Sequence, residues 1–181
     1  MVLNRGIEAN PDKIQAILDM KPSWSIKEVR SLTKRVATLN RFVSKATKCL
    51  PFFKILKKAF KWTDKCQKAF QDLETYLTTA PLLIPSMPGK ELYLYLAVSL
   101  LAVSSALVRE EGRVQKPVYY TNWALKGAEG RYPMMEKLAF VLVTVSRKLR
   151  HYFQAHVINV LIDNPLKKTM NKLEAAGWLI Q

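Results

Sequence analysis

Acidic residues are scarce in this 181-residue chain, with 14 Asp and Glu against 29 Lys and Arg. Cysteine and histidine are scarcer still, at two each. Cys49 and Cys66 lie seventeen apart without the paired Cys/His spacing of a zinc site, so they read as reduced core thiols of an intracellular protein, in cytoplasm or nucleus. Six glycines and nine prolines form no repeat, which excludes collagen-like and low-complexity chains. No GxSxG, P-loop or HExxH motif occurs. The N-terminus is too short and polar to read as a targeting segment. Residues 92–108 carry no charge, but seventeen residues is the lower edge for a membrane span. Leu92, Leu94 and Leu96 alternate there with Tyr93, Tyr95 and Ala97, and Ser99, Ser104 and Ser105 interrupt the run. That period of two reads as a strand, with no membrane partner.

What is present is a substantial apolar fraction, 49%, and a net charge of +15. The first is enough to bury a core; the second calls for a polyanionic partner. Pro81, Pro85 and Pro88 cannot share a helix interior or a central strand, so residues 81–89 read as a stiff connector. It separates helices over residues 1–80 from a mixed module over residues 90–181.

In the first module, Asn10-Pro11-Asp12 reads as a helix start, with Ile14, Ile17 and Leu18 as its apolar face and Pro22 as its stop. Ser25-Ile-Lys-Glu28 fits a capping box, opening a longer helix whose Val29, Leu32, Val36, Leu39 and Val43 recur at three and four. A third element starts near Pro51, carrying Phe52, Phe53, Ile55 and Leu56. A fourth follows Thr63-Asp64 and buries Cys66, Phe70, Leu73 and Leu77. In the second module, strands are expected over residues 91–99, 103–109, 116–121 and 157–162. A long helix is expected over 134–152 and the start of another over 165–172. The order β-β-β-α-β-α implies an α+β fold, a mixed sheet with packed helices. Residues 175–181 end in mid-element, as a truncated domain would.

The sharpest physical signal is on the second helix. Lys27, Arg30, Lys34, Arg41 and Lys45, spaced 3, 4, 7 and 4, form one cationic stripe away from the apolar seam. Such a stripe can track a nucleic-acid backbone by neutralising phosphates; a solvated basic face would look the same. Lys54, Lys57, Lys58, Lys61, Lys65 and Lys68 extend the positive potential, while Phe60, Trp62 and Phe70 among them read as core. For catalysis only Asp163 sits at a strand end, and the acids do not assemble the several carboxylates that a metal-assisted hydrolase needs. His151 and His156 flank a helix end and read as packing or capping residues.

Order and spacing add a resemblance. Residues 6–17, Ile26-Lys-Glu-Val-Arg-Ser-Leu32, Leu39-Asn-Arg-Phe42, Pro51-Phe-Phe, residues 61–70 and Ala80-Pro-Leu-Leu83 resemble the thumb-to-connection segment of gypsy-type LTR retrotransposon Pol polyproteins. Residues 92–107, Tyr119-Tyr-Thr121, Arg131-Tyr-Pro133, Glu136-Lys137, Arg150-His-Tyr-Phe153 and Ile162-Asp163 continue in order as an RNase H-like domain. The resemblance implies a partner, RNA–DNA hybrid or duplex held without regard to sequence, and the remainder of Pol. Active relatives carry Thr-Asp-Ala-Ser on the first strand and Glu-Lys-Glu-Leu on the helix, and use magnesium. Here Leu96-Ala97-Val98-Ser99 and Glu136-Lys137-Leu138-Ala139 match those motifs, so Ala97 and Leu138 stand where two carboxylates would be. Asp163 alone is retained, and a single carboxylate is too few for two magnesium ions. The expectation is a degenerate domain with no cofactor and no catalysis, like plant elements whose domain has become a structural connection. Two alternatives are an active hybrid ribonuclease using Asp163 and a divalent metal, and a purely structural remnant that binds no nucleic acid.

Overall fold

The structure is a computed structural model and describes residues 2–3, 6–21, 25–44, 51–52, 61–79 and 81–162. Of the element expected to start near Pro51, only Pro51 and Phe52 are described, in helical conformation; the rest of it, the element at 165–172, the chain end at 175–181, and Cys49 lie outside the described residues.

Local sequence rules build the helical part. Strands β1 (Val2–Leu3) and β2 (Gly6–Ile7) form a small antiparallel pair that the sequence did not signal. Helix α1 (Pro11–Leu18) starts where Asn10 Oδ1 accepts the amides of Asp12 and Lys13. It ends at Leu18, short of Pro22, which lies outside the described residues. Helix α2 (Ile26–Thr38) carries the expected capping box: Ser25 Oγ accepts from Glu28 N at 3.2 Å, and Glu28 Oε2 accepts from Ser25 N at 2.6 Å. Helix α3 (Asp64–Thr78) buries Cys66, Phe70, Leu73 and Leu77 at three- and four-residue spacing. Ile17, Val29, Leu32, Phe52 and Leu73 are all fully enclosed in the shared core. Each such side chain contributes roughly 1.5–3 kcal/mol of transfer free energy.

One expectation is corrected. The apolar seam through Val43 predicts a helix through that residue, but α2 stops at Thr38 and passes into a 3-10 turn, Asn40–Phe42. Leu39, Phe42 and Val43 stay buried, so the apolar spacing survives the change of backbone. Tertiary hydrogen bonds take over from helical ones. Tyr76 Oη donates to the Phe42 carbonyl at 2.6 Å, and Asn122 Nδ2 donates to that of Val43 at 2.6 Å.

The second part is a four-stranded sheet of β3 (Leu92–Val98), β4 (Ala102–Glu111), β5 (Val114–Ala124) and β6 (Ile158–Leu161), in the order β5-β4-β3-β6. β6 runs parallel to β3; the other pairs are antiparallel. Leu92, Leu94 and Leu96 bury one face, while Tyr95 and Ala97 lie exposed on the other. Strand β5 is longer than expected and accommodates Pro117 at a bulge, where Leu107 pairs with Tyr119 and Val108 with Pro117, leaving Val118 as the extra residue.

The expected helix over 134–152 is divided at Leu149 into α4 (Met134–Lys148) and α5 (Arg150–Ala155). Val141, Val145 and Leu149 close over the leucine face of the sheet. This is the α+β arrangement expected, with helices packed on a mixed sheet.

The proline-rich connector is docked rather than free. Ile7 and Leu83 exchange backbone hydrogen bonds, and Ile84 N donates to Pro117 O at 2.8 Å. Arg109 Nη1 donates to Pro85 O at 2.6 Å.

Candidate nucleic-acid interface

Helix α2 presents Lys27, Arg30 and Lys34 on its exposed side, opposite buried Val29, Leu32 and Val36. None of the three has a carboxylate within ion-pair distance among the described residues. Their neighbour Arg35 is used internally, its Nη1 donating to the Ala16 carbonyl and fastening α2 to α1. Lys61, Lys65 and Lys68 are exposed at and before the start of α3. The helix therefore keeps three of the five expected stripe positions. Lys45 lies outside the described residues.

Arg41 does not extend the helical stripe. It sits on the 3-10 turn after α2, with its guanidinium 4.9 Å from the centroid of the Tyr119 ring and 5.7 Å from that of Phe42. The end of α2 at Thr38 is the physical reason, since the periodicity that would align Arg41 with Lys34 no longer applies. Trp62 and Phe70 are core or core-packed, as expected, and Trp62 stacks on Phe52 at 6.0 Å. Phe60 lies outside the described residues.

Two of the positions that the resemblance matches to family carboxylates, Ala97 and Leu138, lie on β3 and α4. Ala97 is exposed on β3, and Leu138 is buried on α4. Val98, next to Ala97, packs with Leu138 and Ala139, and so does Ile162, the neighbour of Asp163. Asp163 itself lies outside the described residues. Val98 faces α4, so Ala97 points to the other side of the sheet; the fold does not bring positions 97 and 138 together, and what meets Leu138 is hydrocarbon. Ala97 and Leu138 supply no oxygen donor, so the described part of this locus does not fit a divalent metal. Among the described residues no group of three His, Cys, Asp or Glu could hold one.

The two histidines pack and bond as expected. His156 Nδ1 is 3.0 Å from the Lys90 carbonyl, and the His151 ring lies 4.2 Å from that of Tyr152. Sequence reasoning missed the tyrosines near Arg41, Tyr119 and Tyr152, which come from separate elements. The Tyr152 phenol is raised by burial, an effect that the Arg41 charge opposes. Among the described residues no helix is long and apolar enough to cross a membrane.

Comparison with known proteins places this arrangement. The family described as "RNase H-like domain found in reverse transcriptase" matches residues 62–160. The retrovirus-related Pol polyprotein from transposon opus of Drosophila melanogaster is 23% identical over 174 residues, covering 88% of this chain. This chain spans 17% of that polyprotein's length. The foamy viral protease-reverse transcriptase in complex with dsDNA superposes with a TM-score of 0.68 at 18% identity, over 95% of this chain and 39% of the viral one. Its complex with RNA/DNA hybrid gives the same TM-score, 0.68, over 96% and 24% at 18% identity. At that identity the likeness is one of fold.

Proposed function

Since this chain belongs to the family of RNase H-like domains found in reverse transcriptase, we propose that it serves a retrotransposon Pol polyprotein as a grip on duplex nucleic acid and hydrolyses nothing. The observation that carries this reading is the exposed side of α2, where Lys27, Arg30 and Lys34 stand along one face without carboxylate partners among the described residues. Cations so spaced can neutralise successive phosphates and release their counterions, a contact that reads no bases. Foamy viral protease-reverse transcriptase, which shares the fold, forms complexes with dsDNA and with RNA/DNA hybrid. RNA–DNA hybrid or duplex DNA is accordingly the ligand class, and the rest of Pol the physical partner.

The non-hydrolytic half of the proposal rests on residue identity. Hybrid cleavage by two metal ions needs convergent carboxylates. Ala97 cannot ligate, and Leu138 is committed to the cluster with Val98 and Ile162. Asp163 would stand alone, and the chain needs no cofactor.

The test is a titration of labelled RNA–DNA hybrid at several salt concentrations with magnesium present, each sample also run on a denaturing gel. The expected result is affinity that falls steeply with salt while the hybrid stays intact. Replacing Lys27, Arg30 and Lys34 by Gln should flatten the salt slope by about 0.9 for each phosphate no longer neutralised. Magnesium-dependent cleavage that disappears with Asp163→Asn would make the chain a nuclease. Absence of binding at physiological salt would leave it a structural element only.

A further inference from the structure

Of the charged residues of α4, Lys137 alone is buried, at 3% exposure. Its backbone N–H closes the first turn on the Pro133 carbonyl at 2.9 Å. Its ammonium has no hydrogen-bond or ion-pair partner among the described residues, yet it is not sealed in as Arg41 Nε and Arg109 Nε are. Long helical side chains lean back toward the N-terminus, so Lys137 reaches along α4 to its first turn. No side chain caps that end, and helix geometry leaves the first amides, those of Met134, Met135 and Glu136, without a partner. A cation there opposes the helix dipole, and an uncompensated buried charge is costly. Nearby acids do not relieve it. Glu129 is turned back onto the Lys126 amide at 2.9 Å, and Glu136 is exposed and forms no ion pair among the described residues. The surface around this end is both apolar and basic. Tyr132 and Met134 are 40% and 43% exposed, and Lys126 and Arg131 are exposed on the turn before.

We propose that the first turn of α4 is a docking site for an acidic peptide segment of a partner protein, one carboxylate of which meets the Lys137 ammonium and the free amides of the turn. Such a carboxylate compensates the buried charge, takes charge-assisted hydrogen bonds from the amides and sits at the favourable end of the dipole. Charge complementarity selects the partner: this chain has 14 acids against 29 Lys and Arg, and none of the described ones serves Lys137. Burial favours a peptide over a duplex, because a single flexible side chain can enter where the phosphates of a stiff double helix cannot follow. The rim agrees, since exposed Tyr and Met are residue types that protein interfaces bury. Tyr132 is held for such contact by packing on Phe140, with ring centroids 6.2 Å apart. Lys126 and Arg131 would steer the acidic segment toward the turn. The site belongs to the sheet part of the chain and does not rest on the nucleic-acid reading of α2.

The test is an anisotropy titration of the full chain with two short fluorescent peptides. One is built of glutamate, leucine and serine; the other has glutamine for each glutamate. The acidic peptide should bind and its glutamine counterpart should not. Lys137→Met keeps the apolar stem and removes the charge, so it should weaken acidic-peptide binding by about tenfold or more while melting no lower than wild type. Met134→Gln, at an exposed position, should also weaken binding, and it tests the site without touching the core should Lys137→Met fail to fold. Lys13→Gln removes an exposed cation from α1 and should change little. Equal losses for Lys13→Gln and Lys137→Met would reduce the binding to general attraction by a net charge of +15 and overturn the site. Peptide binding unchanged by both α4 variants would overturn it as well. Weaker RNA–DNA hybrid binding by Lys137→Met, with the peptide unaffected, would make the turn a phosphate contact instead.

Discussion

Leu83 and Ile84 are consecutive in the chain and buried in different cores, Leu83 with the helices and Ile84 under the sheet. The connector thus joins the two parts by packing as well as by covalent bonds. Leu83→Ala should cost about 2–5 kcal/mol, as expected for a fully enclosed leucine. Gly6→Ala should also destabilise: Gly6 has φ +147°, and a Cβ there would lie 2.5 Å from the Leu83 carbonyl oxygen. Urea unfolding of both variants checks this, and an unchanged midpoint for Gly6→Ala would mean that the strand pair is not seated on the connector.

The capping box at Ser25 and Glu28 orients the helix that carries the cations. Ser25→Ala should lower stability by about 0.5–2 kcal/mol, and Glu28→Gln by less, since an amide still accepts the Ser25 N–H. If binding is led by α2, Ser25→Ala should also weaken hybrid affinity at a temperature where the rest of the chain stays folded, as followed by circular dichroism and anisotropy together.

Leu138 tests the metal question directly. Leu138→Glu places a carboxylate in the apolar cluster with Val98 and Ile162, and the uncompensated charge should cost about 3–5 kcal/mol. Millimolar magnesium should raise the Tm of neither wild type nor variant, because a metal that bound the folded state would stabilise it by mass action. A magnesium-dependent rise in the wild type, seen in thermal melts, would show that a metal site exists.

Glu111 supplies a pH dependence. The Lys116 ammonium and then the Arg109 guanidinium bond its carboxylate and hold it below its ordinary range. The unfolded chain therefore takes up the proton more readily than the folded one. The contribution is complete above the ordinary glutamate range and is lost as pH falls through the depressed one. Glu111→Gln should make the acid limb of the stability profile shallower, and less so at high ionic strength, where the exposed Lys116–Glu111 pair is screened while buried Arg109 is screened much less. Urea midpoints measured from neutral pH downward give the comparison.

Much of the fold was legible in the sequence because it follows local rules. Asn10 and Ser25 cap the helices they were expected to cap, Leu92, Leu94 and Leu96 alternate inward, and α3 buries the four residues its spacing nominated. The stops were less legible. α2 ends at Thr38 and the next long helix breaks at Leu149, although apolar spacing runs past both points. At the first, the Asn122 amide and the Tyr76 hydroxyl meet the Val43 and Phe42 carbonyls, and they come from residues 79 and 34 positions away.

The candidate site divides the same way. Chemical identity is fixed by sequence, so the cations of α2 and the apolar side chains of Ala97 and Leu138 could be read without coordinates. Assembly is not. Arg41 looked like the next member of a helical row, and only the packed fold turned it onto Tyr119 beside Tyr152. Periodicity describes neighbours within one element, whereas that junction is made where separate elements pack together, and burial there rather than spacing decides which charges meet.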